Sequence, residues 1–166
     1  MAKPTTYATP ICAVLTILAV VGILLGLKFQ NAIIALLLLL PSVGYEVYRT
    51  EGKSTRWASW ALLATFIAEL IFFIFNISLD LAKFFGDSQK YIAGFSVPLG
   101  DIKVVGSVLM IVLGVILFTR TRGIYTKWLA VIIFATSFAI VYILAPNMFE
   151  QLLKLGINQV LNYIRL

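Results

Sequence analysis

The chain has 166 residues, 61% of them hydrophobic and only 12% charged, with no His, a single Cys and a net charge of +6. Soluble domains carry about 45–50% apolar and about 25% charged residues, so a soluble globular domain is excluded. The lack of His removes imidazole ligands and a histidine general base, and Cys12 alone supports neither an intramolecular disulfide nor a thiolate cluster.

A bilayer-spanning helix needs about 20 mainly apolar residues. Five stretches meet or approach that length, and they predict an all-α fold: a polytopic membrane helix bundle in one transmembrane domain. The spans cover about 10–27, 32–48, 57–79, 102–118 and 128–145, followed by an amphipathic interfacial helix over 147–166.

The first span starts at Thr9-Pro10, a cap followed by a proline that sacrifices no helical hydrogen bond. Lys3 before an apolar run resembles a signal peptide. However, no small-x-small cleavage site follows Leu27, so the span is expected to be retained. Cys12 precedes the apolar run and is no lipoprotein acceptor. Gly22 and Gly26 form a GxxxG pattern that permits close helix contact, within the chain or between chains. Only Lys28–Asn31 joins the first and second spans, which predicts a tight antiparallel hairpin with Asn31 as a cap. In the second span Pro41 is expected to kink the helix and free a carbonyl. Glu46, near the end of that span, is expected to form an i,i+3 pair with Arg49.

The third span holds Glu69, twelve residues after Trp57 and ten before Leu79, which predicts a position near the bilayer midplane. A charged group there costs about 2.5–3.5 kcal/mol on insertion scales, so it is expected to face protein and to be neutral. Ala58, Ala61, Thr65, Glu69 and Asn76 lie along one stripe, expected to face inward, and Leu63, Ile67, Leu70, Ile71, Ile74 and Ile77 cover the lipid side. Hydrogen-bond partners for Glu69 are Thr65 or a group on another helix, among Thr16, Ser107, Thr136, Ser137 and Tyr142. Glu69, Thr65 and Asn76 therefore form the expected intramembrane polar site, structural or proton- or ion-handling.

The connection Asp80–Gly100 carries Leu81, Phe84, Phe85 and Tyr91 and is expected to lie on the membrane surface as a short helix. The fourth span follows Asp101. The fifth is expected to be capped by Thr126 and ended by Pro146, and Ala135 and Ala139 supply a second small-residue contact face. In the tail, Glu150, Gln151, Lys154, Asn158, Asn162 and Arg165 share one face opposite Leu152, Leu153, Val160 and Ile164. That pattern suits a helix lying in the headgroup plane or docking on a partner subunit.

Five spans place Lys3, Arg49, Lys53, Arg56, Arg120, Arg122 and Lys127 on one side, against Lys28, Lys83, Lys90, Lys103, Lys154 and Arg165 on the other. The compact basic loops at Arg49–Arg56 and Arg120–Lys127 predict a cytoplasmic N-terminus and a C-terminus on the opposite side. These basic residues are read as lipid-interface groups, with Trp57 and Trp128 as aromatic anchors, rather than as a nucleic-acid surface.

No G-x-S-x-G, HExxH, P-loop or G-x-G-x-x-G occurs, so neither a catalytic site, a metal nor a cofactor is expected. Two functions are consistent with this: a non-catalytic integral subunit of a larger membrane complex, or a small proton- or cation-coupled transporter or channel built on Glu69. The expected partners are membrane lipids and other membrane subunits or a second copy of the chain.

Overall fold

The computed structural model describes residues 7–50, 52–77, 89–92, 95–98, 102–146, 149, 150 and 154. Five helices are long and apolar enough to cross a membrane: α1 (Ala8–Phe29), α2 (Ala32–Arg49), α3 (Lys53–Ile74), α4 (Ile102–Arg120) and α5 (Ile124–Leu144). The chain is a multi-pass integral membrane protein of the helix-bundle class.

The α1–α2 turn forms as its residues dictate. Gln30 adopts a left-handed conformation and the Asn31 amide bonds the Gly26 carbonyl at 3.0 Å, closing α1. The Asn31 side chain then accepts from the Ile33 amide at 3.0 Å, starting α2. Gly22 and Gly26 are spent inside this hairpin. A Cβ on Gly22 would stand 3.0 Å from Leu38 Cβ and 3.5 Å from Ala35 Cα, and one on Gly26 would stand 3.3 Å from Ala35 Cβ. The GxxxG face thus seats α1 on α2 within one chain.

The helices close a ring, each packing on its neighbours in sequence and α5 returning to α1; α2 and α5 also touch across it. α5 consequently packs on α1, α2 and α4 and buries about half of its circumference, from Leu129 and Ala130 to Ile140 and Val141. α3 packs on α2 and α4 alone among the larger contacts, and its buried stripe is Thr55, Ser59, Leu62, Phe66 and Glu69. At the centre, Leu36, Leu39, Leu62, Phe66, Met110, Leu117, Leu129, Ile133 and Ile140 are all essentially inaccessible.

Several expectations change. α3 ends at Ile74 rather than Leu79, with Asn76 in the left-handed region just beyond it. Its inward face is also turned by about one residue position: Ala61 and Ala64 are exposed, while Leu62 and Phe66 are buried. Large side chains fill the ring interior better than alanines, and packing decides the face. α5 begins at Ile124, and Thr126 lies in its first turn with its hydroxyl bonded to the Gly123 carbonyl at 2.8 Å. α2 is continuous past Pro41, as the second span requires, with the proline ring on the outside. In the α3–α4 connection, β1 (Gln89–Ile92) and β2 (Phe95–Pro98) pair antiparallel, with Gln89 opposite Pro98 and Ile92 opposite Phe95. Tyr91, Ile92, Phe95 and Val97 around Ala93-Gly94 favour that hairpin over the short helix expected there. The amphipathic helix expected over 147–166 lies outside the described residues except at 149, 150 and 154. There Phe149 meets the rings of Phe138 and Tyr142, and Glu150 faces Lys154 at 4.0 Å on an exposed surface.

The two kinds of glycine separate on substitution. Gly22→Ala must force Leu38 or the α2 backbone away, and overpacking of that kind costs about 1–3 kcal/mol. Gly44, with nothing within 4 Å of its would-be Cβ, accepts alanine without loss and gains about 0.5–1 kcal/mol in helix stability. Denaturant titration of the purified protein in mixed micelles should give opposite shifts for the two variants.

Candidate functional site

Among the described residues two carboxylates are buried, Glu46 at 0% and Glu69 at 1% relative exposure. α3 takes part in both sites. Its buried stripe carries Ser59 toward α2 at one end and Glu69 toward α4 at the other.

Glu69 accepts a short hydrogen bond on Oε1 from the Ser107 hydroxyl of α4, while Oε2 has no hydrogen-bond partner among the described residues. Room for the carboxyl comes from Gly106: a Cβ there would lie 3.3 Å from both Glu69 Cδ and Oε2. One turn toward the helix end, the Lys103 ammonium donates to Asn76 Oδ1 at 3.2 Å and stands 5.2 Å from the Phe73 ring centre. The Ser107 hydroxyl also lies 3.3 Å from the Lys103 carbonyl. A polar seam therefore runs along α3 and α4 from Glu69 to the end of the span.

Of the three residues expected to form the intramembrane site, Glu69 and Asn76 fall on this seam and Thr65 does not. The Thr65 hydroxyl bonds its own helix at the Ala61 carbonyl, 2.9 Å away. A serine or threonine four residues along a helix satisfies itself in this way without a partner. Ser107, one of the groups considered on other helices, is the partner that the fold supplies. Glu69 lies five residues before Ile74, about 7.5 Å from the end of α3 at 1.5 Å per residue.

Glu46 departs furthest from expectation. Rather than forming an interfacial pair with Arg49, its Oε1 accepts from Thr50 Oγ1 at 2.5 Å and from Ser59 Oγ at 2.9 Å. Its Oε2 has no hydrogen-bond partner among the described residues. The Arg49 guanidinium instead stacks over the Tyr125 ring at 4.8 Å and approaches the Tyr45 hydroxyl at 3.5 Å. Sequence spacing favoured Arg49 because i,i+3 residues are neighbours on an isolated helix. The hairpin to α3 brings Ser59 closer, and that contact is invisible in a one-helix view. The signal available was the Ser42, Glu46, Thr50 spacing, which places polar groups every four residues on one face of α2.

The small-residue pairs also part company. Gly22 and Gly26 are buried against α2, whereas Ala135 is exposed and Ala139 half-buried on the outer side of α5. The basic residues Arg49, Lys53, Arg56, Arg120, Arg122 and Lys127 all belong to helix ends or loops at one end of the bundle. Trp57 (80% exposed), Trp60 and Trp128 share that end, as an interfacial aromatic belt requires. Trp128 also donates to Thr16 Oγ1 at 3.0 Å, and Thr9 meets the Tyr125 hydroxyl at 3.0 Å, tying α1 to α5. Among the described residues, no three His, Cys, Asp or Glu side chains gather as a metal site. No protein-family model, curated protein or solved structure matches the chain.

Two serines test which hydroxyls matter. Ser107→Ala strips Glu69 of its donor in a buried setting and should cost about 1–3 kcal/mol. Ser137 is equally buried, but its hydroxyl has no partner among the described residues, so Ser137→Ala should be neutral or stabilising. Parallel unfolding titrations of the two variants check the difference.

Proposed function

We propose that this chain is a non-catalytic integral membrane subunit with a packing or assembly role in a larger membrane complex. The observation that carries this reading is the outer face of α5. The helix packs on three neighbours, yet it leaves Ala135 exposed and Ala139 half-buried, between exposed Val131 and Tyr142. Small residues at four-residue spacing let helix backbones approach closely. The comparable Gly22–Gly26 face is already used inside the chain, whereas on the α5 face Phe149 meets Phe138 and Tyr142, and Ala135 stays exposed among the described residues, accessible to a transmembrane helix of another subunit or a second copy. The amphipathic pattern of the tail supplies a further docking element, and the clustered basic loops favour a cytoplasmic N-terminus with the C-terminus on the other side.

Extraction in mild detergent followed by native mass spectrometry should find the protein with larger membrane partners. Ala135→Leu combined with Ala139→Leu should release it from them while leaving its own unfolding transition in place. A monodisperse species in both cases rejects the assembly role.

A second reading, proton or cation coupling through Glu69, is favoured by one observation: its Oε2 is buried beside Gly106 with no hydrogen-bond partner among the described residues. Under that reading Glu69→Gln abolishes a pH- or cation-driven flux in proteoliposomes, and an unchanged flux discards it.

A further inference from the structure

We propose that Glu46, together with the hydroxyls of Ser42, Thr50 and Ser59, forms a binding site for a small monovalent cation of sodium or lithium size in the α2–α3 seam. Three observations converge on it. The carboxylate is wholly buried, and both of its donors, Thr50 at 2.5 Å and Ser59 at 2.9 Å, crowd onto Oε1. Oε2 is left with no hydrogen-bond partner among the described residues. One turn deeper on the same face of α2, the Ser42 hydroxyl is also wholly buried and also lacks a partner. Residues four apart on a helix stand about 5–6 Å apart at Cβ, which puts Ser42 one turn from Glu46 on the same face of α2.

The donor set decides the class of ligand. All the groups are hard oxygens, with neither nitrogen nor sulfur, which suits alkali and alkaline-earth ions over transition metals. Only one of them carries charge. A single carboxylate balances one positive charge, leaving the site neutral inside hydrocarbon, whereas a divalent ion would leave a buried net charge. Hydroxyls that now donate to Oε1 can rotate to present lone pairs, replacing part of the ion's water shell as coordinating oxygens do in selective channels. One carboxylate and three hydroxyls offer few oxygens, which favours a small ion over potassium, since a larger ion needs more oxygens around it. Position helps as well: Glu46 is three residues from Arg49 at the end of α2, where the carbonyl end of the helix attracts cations and the aqueous loop is about one turn away.

The site is separate from Glu69. Ser59 and Glu69 are ten residues apart on α3, about 15 Å, with buried Leu62 and Phe66 between them. It therefore stands whether or not Glu69 carries a flux.

The test is thermal unfolding of the full chain in detergent at constant ionic strength, replacing N-methylglucamine chloride by sodium, lithium or potassium chloride. Sodium and lithium should raise the melting temperature in a saturable way and potassium should not. Glu46→Gln should abolish the sodium response, Thr50→Val and Ser59→Ala should each raise the half-saturating sodium concentration about tenfold or more, and Glu69→Gln should keep the response. Should Glu46→Gln fail to fold, equilibrium dialysis of radioactive sodium against the wild-type chain still decides: one ion per chain is expected. No bound sodium, an equal response to all salts, or a full response in the folded Glu46 variant overturns the site.

Discussion

In hydrocarbon no water is present to satisfy a polar group, and each unmet donor or acceptor costs several kcal/mol. That constraint orders the bundle. Backbone groups are met within the five helices, and most hydroxyls in the spans bond back to their own helix: Thr16 to the Cys12 carbonyl at 2.7 Å, Thr119 to Val115 at 3.0 Å and Thr136 to Ile132 at 2.8 Å. A carboxylate has no donor of its own at that spacing. Glu46 and Glu69 must therefore draw donors from neighbouring helices, and each does so from a serine across a seam.

The consequence falls on α3. Its one close glycine contact among the described residues, Gly106 of α4, is with the Glu69 carboxyl itself, and it lacks larger contacts with α5, the most buried helix. Ser59 ties one end of it to α2 and Glu69 ties the other to α4, with Leu62 and Phe66 filling the space between. Apolar packing alone tolerates sliding along a smooth helix surface, because lipid and leucine are equally apolar. Hydroxyl–carboxylate contacts at both ends leave a single register for α3.

The number of spans and the tight first hairpin were legible because they depend on local chemistry: apolar length, the Asn31 cap and the four-residue Lys28–Asn31 connection. The burial of Glu69 was legible too, since an acid in an apolar run stands out in one dimension. Its surroundings were not. Helical spacing suggested Thr65, but that hydroxyl had a nearer acceptor on its own chain turn, and the true partner, Ser107, is 38 residues away. Glu46 was misread for a related reason. Its sequence neighbour Arg49 has an alternative in the Tyr125 ring, a residue brought in by α5, and the decisive contact with Ser59 crosses the α2–α3 turn. Patterns within one helix predict which residues need a partner, and the packing of several helices decides which partner they find.

The two carboxylates also define what the bundle can do as it stands. The Glu46 group lies nearer the end that carries Arg49, Arg56, Arg120 and Arg122, and the Glu69 group nearer the end that carries Lys103 and Asn76. Leu62 and Phe66 of α3, with Met110 and Ile133 on the neighbouring helices, are fully buried between those levels. A layer of that kind excludes ions because it offers no oxygen to replace their water. Under the two proposals, an ion at Glu46 would exchange with the basic face and a proton at Glu69 with the opposite face. Passage from one to the other would have to part α3 from its neighbours and, with it, the hydroxyl contacts at both ends. The groups that hold α3 in register are thus the same groups that would have to let go for the membrane to be crossed.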